Sequence, residues 1–217
     1  HMMALCYGAS LVYRNEVMIS SLSAFSDFVA HHGISVVSLP TGLWHVLVDG
    51  LDREIGQYLA QHLRLCILGG EALQSARLAQ WQSTIPEKVQ VLNTYGPTEA
   101  TVIATVMDVT RECGQCQLPI GRPLPGVSVT VVGKDGQPVP TGVIGELWIS
   151  GRTVASGYLN QPDKTAESFI EHIGPDGKNT RSYRTGDRVK WRKDSQLIYI
   201  GRADNQIKYR GFRIELG

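Results

Sequence analysis

Excess charge of one sign is missing from this chain. Lys and Arg number 21 against 20 Asp and Glu, a formal balance of +1. That gives no general pull toward nucleic acid or an anionic membrane. Basic residues become denser from Arg181 to Arg213, but acids are interspersed, which reads as a solvated or ligand-facing surface. No apolar run is long enough to span a bilayer, and there is no signal-peptide layout. Internal repeats and low-complexity tracts are also missing. Cysteine is scarce, at four residues. Cys6 and Cys66 sit in apolar surroundings and read as small core residues. Cys113 and Cys116 form one C-x-x-C pair in a loop-like setting, with no second pair at metal spacing, so a plain loop is favoured over zinc or redox chemistry. Nothing argues for a disulfide framework, and a reducing cytoplasm is the expected setting.

What remains is an ordinary globular composition, 42% apolar and 19% charged over 217 residues. That length can bury a core as one large domain or two small ones. His1–Met2 reads as a cloning scar, with Met3 the first intended residue. In the first half, helical and strand patterns alternate. "SLSAFSDFVAHHG" spaces Leu22, Phe25, Phe28 and Val29 for a helix that Gly33 stops, and "ISVVSL" is a short strand ending at Pro40. "DREIGQYLAQHL", "LRLCILGG", "SARLAQWQS" and "VQVLN" continue as helix, strand, helix, strand. This order predicts parallel pairing in an α/β sheet. From about Leu118, Gly and Pro punctuate short β-rich pieces: "VSVTVV", "GELWIS", "DRVKWR", "LIYIG" and "NQIKY". That texture predicts a small distorted β-barrel, interrupted by one helix, "DKTAESFI". The predicted division is 1–117 as a partial α/β subdomain, 118–204 as the barrel, and 205–217 as a hinge strand.

In open α/β sheets, ligands collect where loops leave the carboxyl ends of strands. Two such loops are visible, "GGEAL" at Gly69–Leu73 and "NTYGPTE" at Asn93–Glu99. Gly69 and Gly70 let a flat ligand come close to the backbone. Asn93 offers an amide to a base edge, Tyr95 an aromatic face, Thr98 a donor for phosphate, and Glu99 a hard oxygen suited to Mg²⁺ beside phosphates. The same residues serve equally well as a Gly-Pro turn followed by a helix-start carboxylate. Asp187, in "YRTGD", can take ribose hydroxyls or simply hold a turn. Tyr199, Arg202, Asp204, Lys208 and Arg210 crowd into a dozen residues, which is either an anion-facing surface or a solvated hairpin.

"NTYGPTEAT", "GELWISGRTVASGYLNQPDKTAESF", "YRTGDRVKW" and "GRADNQIKYRGFRIELG" occur in this order. Together they resemble the adenylation domain of nonribosomal peptide synthetases, across essentially the whole chain. "MALCYGASL" looks like the tail of an earlier family motif. The resemblance implies a ligase that activates an amino or related carboxylic acid with ATP and Mg²⁺, then loads it onto the phosphopantetheine thiol of a carrier protein. It implies that Gly70, Glu71 and Ala72 flank adenine and that Asn93 and Tyr95 bond to and stack on it. Thr98 and Glu99 become the catalytic phosphate contact and Mg²⁺ ligand. Asp187, Tyr199 and Arg202 become nucleotide contacts, and Asp204 the hinge of a small C-terminal subdomain. Ser38, Ile67, Gly69, Thr94, Val102 and Ile103 fall where the family lines its acid pocket. Being small, β-branched or weakly polar, they argue for a modest, uncharged side chain. Ile67, Val102 and Ile103 also suit a plain strand core.

Three family features are expected outside this stretch. They are the Ser/Thr/Gly phosphate loop with its lysine, the aspartate that meets a substrate ammonium, and the catalytic lysine beyond Gly217. Without such a lysine, the electrostatic part of catalysis is lost, so the chain by itself is expected to be inactive. One departure is Ser156, where the family usually has arginine. The expectation is a piece of an adenylating enzyme. The alternatives are a scaffold piece that docks an MbtH-like activator or a neighbouring domain, and a remnant without ligand. A sheet lacking upstream strands is also expected to expose an edge or apolar face, covered by dimerisation or rearrangement.

Overall fold

The computed structural model describes residues 5–112, 117–173, 177, 179–203, 206–209 and 212–215. Asp204, Cys113 and Cys116 lie outside the described residues. The first layer is built from four helices and three parallel strands. Helix α1 (Leu22–His31) starts where the Ser21 hydroxyl accepts the Ala24 N–H at 3.1 Å. Gly33, at φ +58°, turns the chain out of it. Strand β1 (Val36–Pro40) runs directly into α2 (Thr41–Asp49), a helix that the sequence pattern does not reveal. Helix α3 (Arg53–His62) is capped by Asp52, which accepts from Ile55 N at 2.8 Å. Then come β2 (Leu65–Gly69), α4 (Ser75–Thr84) and β3 (Gln90–Tyr95).

Strands β1, β2 and β3 pair in parallel, with Pro40 beside Gly69 and Gly69 beside Thr94. One face of this sheet carries Val37, Leu39, Cys66, Leu68 and Val91, all buried against helices α1 to α4. Burial pushes the Cys66 thiol up to about 12. Cys6 does not share that environment. It is exposed, contrary to the expectation from its apolar neighbours.

After β3, the strands β4 (Thr105–Asp108) and β5 (Pro119–Pro123) continue the sheet antiparallel. The remaining strands are β6 (Val127–Val132), β7 (Gly145–Gly151), β8 (Phe169–Ile173), β9 (Asn179–Trp191) and β10 (Leu197–Arg202). Their order is β1-β2-β3-β4-β5-β10-β9-β7-β6, with β8 beside β9, giving one ten-stranded sheet. The expected barrel is therefore not closed. The long β9 divides one edge between β8 and β10, and β10 leads back through β5 into the parallel layer. Among the described strands, β6 pairs only with β7, so it is an edge and not a closing seam. Register shifts in β7 at Glu146/Trp148 and in β10 at Tyr199/Gly201 bend the sheet without joining its ends.

Helix α5 (Pro162–Ser168) precedes β8, with its proline in the first turn. The two residues expected to extend that helix, Phe169 and Ile170, belong to β8. A second hydrophobic cluster fills the twisted part, with Tyr95, Ala100 and Ala104 packed among Val127, Leu147, Ile149, Val189 and Leu197. The loop after β3 thus shares its core with later strands. At the end, β11 (Gln206–Tyr209) and β12 (Phe212–Glu215) pair antiparallel with each other, where a single hinge strand was expected. No helix among the described residues is long and apolar enough to cross a membrane.

Candidate functional site

Parallel pairing brings the ends of β1, β2 and β3 level, so their outgoing loops gather at one edge. Residues in register share a face in parallel strands. Ser38, Ile67, Gly69 and Thr94 therefore lie on the face opposite the helices, with Ser38 exposed and the others half-buried. Four residues expected to line an acid pocket thus share one surface. The contact between Gly69 and Thr94 is close, since a Cβ on Gly69 would lie 2.5 Å from Thr94 Oγ1. That hydroxyl donates to Leu68 O at 2.7 Å.

Past Tyr95 the backbone folds tightly back. A side chain at Gly96 would strike Val102 O and Ala104 N, each at 2.6 Å. A short 3₁₀ turn (Thr98–Ala100) follows, and then Thr101 and Val102 at φ +58° and +71°. A left-handed conformation is costly for a β-branched residue and marks a turn held by its surroundings. What holds it is the 153–158 segment. Thr101 Oγ1 donates to Thr153 O at 2.6 Å, and Ala155 N donates to Glu99 O at 2.9 Å. Val102 is left exposed and Ile103 half-buried beside Gly96. Thr98 is exposed at the start of the turn, whereas Glu99 is buried.

The Glu99 carboxylate accepts a hydrogen bond from Tyr158 Oη at 2.6 Å. Burial, followed by that bond, pushes the Tyr158 hydroxyl well above its ordinary range. Tyr158 lies within "GELWISGRTVASGYLNQPDKTAESF", where no local signal singles it out. The two residues are 59 positions apart, and no local pattern joins them.

Four other expected contacts meet from three strands. Tyr95 Oη, at the end of β3, donates a short hydrogen bond to Asp187 Oδ2 on β9. Arg202 Nη1, at the end of β10, donates to Asp187 Oδ1 at 2.9 Å. The rings of Tyr95 and Tyr199 stand 6.3 Å apart at 38°. Asp187 is 3% exposed and the Arg202 side chain 11%. Burial first, and the Asp187 charge second, push the Tyr95 hydroxyl well above its ordinary value of 10. A small scaffold fixes Asp187. Its N–H donates to Thr185 Oγ1 at 2.9 Å, and Thr185 Oγ1 donates to Leu147 O at 2.7 Å. The neighbouring Gly186 N–H goes to Glu146 Oε1 at 3.1 Å. No local signal in the sequence marks Thr185 or Glu146 for this role.

Asn93 is placed apart from that group. It is buried, and its side-chain amide donates to Pro119 O at 2.8 Å, tying β3 to β5. Gly70 and Ala72 are exposed in the β2–α4 loop, with Gly70 at φ +91°. Glu71 in the same loop turns its carboxylate toward Gly42 in the first turn of α2, since a Cβ on Gly42 would lie 3.0 Å from Glu71 Oε2. An anion is favoured there by the exposed N–H groups and dipole of the helix start.

Over residues 1–159 the sequence matches the family model described as AMP-binding enzyme. The chain belongs to the AMP-binding enzyme family. It is 40% identical over 220 residues to the dimodular nonribosomal peptide synthase of Bacillus subtilis, covering 98% of this chain and 9% of that protein. Tyrocidine synthase 1 of Brevibacillus parabrevis is 35% identical over 217 residues, covering 99% and 19%. Among solved structures, IdnL1 superposes at TM-score 0.85 with 27% identity, covering 96% of this chain and 43% of that one. Holo-PA1221, a protein with adenylation and PCP domains, superposes at 0.82 with 30% identity, covering 90% and 33%. The chain thus spans less than a fifth of those two synthetases and less than half of the two solved structures. Within the family, its relatives and structural neighbours place it with nonribosomal peptide synthetase adenylation domains.

Proposed function

We propose that this chain carries the nucleotide-facing and acid-facing parts of an amino- or carboxylic-acid-activating adenylation domain. The observation that carries the reading is the convergence of Tyr95, Asp187, Tyr199 and Arg202 from three strands beside the turn that holds Glu99. Tyr95 and Tyr199 would wall the adenine, with the Gly70–Ala72 loop along its edge. Asp187 is preorganised as an acceptor. A carboxylate has about four lone-pair sites, so a ribose diol can join Tyr95 and Arg202 on it. Arg202 brings positive charge to the ribose or phosphate side. Thr98, exposed at the turn, would donate to a phosphate oxygen.

The donor set bears on the metal. No group of three or more metal-ligating side chains occurs among the described residues. A single hard carboxylate, Glu99, fits Mg²⁺, which is held by one or two carboxylates plus substrate phosphates. When bound, Mg²⁺ would neutralise phosphate charge. The carboxylic acid would lie on the face of Ser38, Ile67, Gly69 and Thr94, closed at one end by Val102 and Ile103. In the reaction the acid's carboxylate oxygen bonds to the α-phosphorus while the bond to pyrophosphate breaks. The residues here bind and orient the reactants, and the 217 residues contain no Ser/Thr/Gly run carrying a lysine.

The acceptor we propose is a phosphopantetheine thiol on a carrier protein, supported by the likeness to adenylation–PCP proteins. The setting we propose is cytoplasmic. Titration of the labelled chain with millimolar AMP tests the reading. Shifts at Tyr199, Arg202 and Gly70–Ala72, lost in Asp187→Ala, are expected. Shifts elsewhere, or none, would refute it. The chain alone should not catalyse acid-dependent ATP–pyrophosphate exchange, and robust exchange would overturn that part.

A further inference from the structure

Helix α2 was invisible in the sequence pattern, and one of its faces is polar. Thr41, His45 and Asp49 follow each other at four-residue steps, which stacks them along one side of the helix. All three reach the loop between β2 and α4 or the first turn after it. Thr41 Oγ1, fully buried, donates to Gly69 O at 3.1 Å. His45 Nε2 accepts the backbone N–H of Gln74 at 3.2 Å. Asp49 pairs with Arg77 in the first turn of α4. Between the first two contacts, the Glu71 carboxylate sits against Gly42. The loop Gly69–Gln74 is therefore fastened to α2 near its start, its middle and its end.

The chemistry of the His45–Gln74 contact is specific. A backbone N–H can only donate, so Nε2 must be the bare nitrogen and the imidazole must be neutral, with its proton on Nδ1. A protonated ring has no acceptor to offer. The charged groups facing the ring come from three elements. Arg77 of α4 disfavours the charged ring, whereas Glu71 of the loop and Asp49 of α2 favour it. Burial outweighs these, and the His45 pKa lies below its ordinary value of 6.5. At neutral pH the contact is thus intact.

We propose that Thr41, His45 and Asp49 are positioning residues that hold the Gly69–Gln74 loop in place for a nucleotide, and that protonation of His45 releases the far end of that loop. The role rests on the adenylation-site reading above, because only there does the loop flank adenine. His45 touches no reacting atom and acts through the loop backbone.

Amide exchange and AMP titration on the ¹⁵N-labelled chain test this together. In the unaltered chain, the protection factor of the Gln74 amide should fall at least several-fold as pH drops from 8 to 5, with the midpoint of the His45 ring titration. His45→Gln places an amide oxygen at the reach of Nε2, so Gln74 should stay protected across the whole range. His45→Phe should lose that protection at every pH. With millimolar AMP at pH 8, His45→Phe should weaken the shifts at Gly70–Ala72 several-fold, and His45→Gln should restore them. Gln74 protection that ignores pH, or that survives in His45→Phe, overturns the proposal. If AMP moves Gly70–Ala72 equally in all three proteins, the positioning role alone fails. If Gln74 titrates as expected but AMP never moves that loop, the adenylation-site reading fails, and the positioning role with it.

Discussion

Removing the charge of Asp187 should be costly, and the structure says by how much. The carboxylate is 3% exposed and accepts from Tyr95 Oη and from Arg202 Nη1 at 2.9 Å. In Asp187→Ala both bonds vanish, and the Arg202 side chain, 11% exposed, loses the Asp187 charge. Breaking a buried ion pair from one side costs about 3–5 kcal/mol, mostly from the stranded charge. Asp187→Asn keeps an acceptor oxygen for one donor, and a neutral hydrogen bond is worth about 1 kcal/mol. The expected losses are therefore about 4 kcal/mol for alanine and about 3 kcal/mol for asparagine. Urea unfolding followed by tryptophan fluorescence should report them. With a slope near 2 kcal/mol/M, the midpoints should fall by roughly 2 M and 1.5 M without a change of slope. The double variant Asp187→Asn/Arg202→Met removes both charges and should regain about 1–2 kcal/mol relative to the single change. A control lies on the surface: Glu87, 3.0 Å from Arg111, with side chains 68% and 80% exposed. Glu87→Ala should change stability by less than about 0.5 kcal/mol. An Asp187→Ala protein within about 1 kcal/mol of the parent would show that the buried pair contributes little. So would a double variant no better than the single one.

Other outcomes follow from the same geometry. Tyr95 is buried with a raised pKa, so above pH 10 the unfolded chain loses this proton before the folded one does. Stability should hold below pH 10 and fall as pH rises above it, and Tyr95→Phe should flatten that fall in urea midpoints measured from pH 8 to 11. Tyr158→Phe removes a 2.6 Å bond to the Glu99 carboxylate and should cost about 1.5–3 kcal/mol in the same unfolding assay; no loss would mean the bond is not formed in solution. Gly69→Ala should cost about 1–3 kcal/mol by overpacking against Thr94 Oγ1, and adding Thr94→Ala should recover most of it. Gly121 has φ +91°, and a Cβ there would overlap the Val106 carbonyl, so Gly121→Ala should fail to give a folded protein by circular dichroism.

Elements whose signals are local are legible in the amino-acid order alone. Helix α1 has Ser21 before it, Gly33 after it and apolar residues at helical spacing between them. Strands β1 to β3 are short apolar runs ended by Pro40, Gly69 and the Tyr95–Gly96 turn, and helices between such strands force parallel pairing. The ordered motifs also pointed to the family and to the segments that meet at the candidate site. Tertiary structure decided what depends on distant partners. Helix α2 begins at Thr41, directly after the Pro40 that ends β1, and no local signal announces it. Its first turn is matched by the Glu71 carboxylate, 29 positions downstream of Gly42. Closure of the second half depended on how β9 shares its edges, and periodicity within a strand says nothing of its neighbours. Asn93 illustrates the limit at one residue. Its amide suits a base edge in the sequence, and the approach of β5, with Pro119 O at 2.8 Å, is what ties it to a second strand.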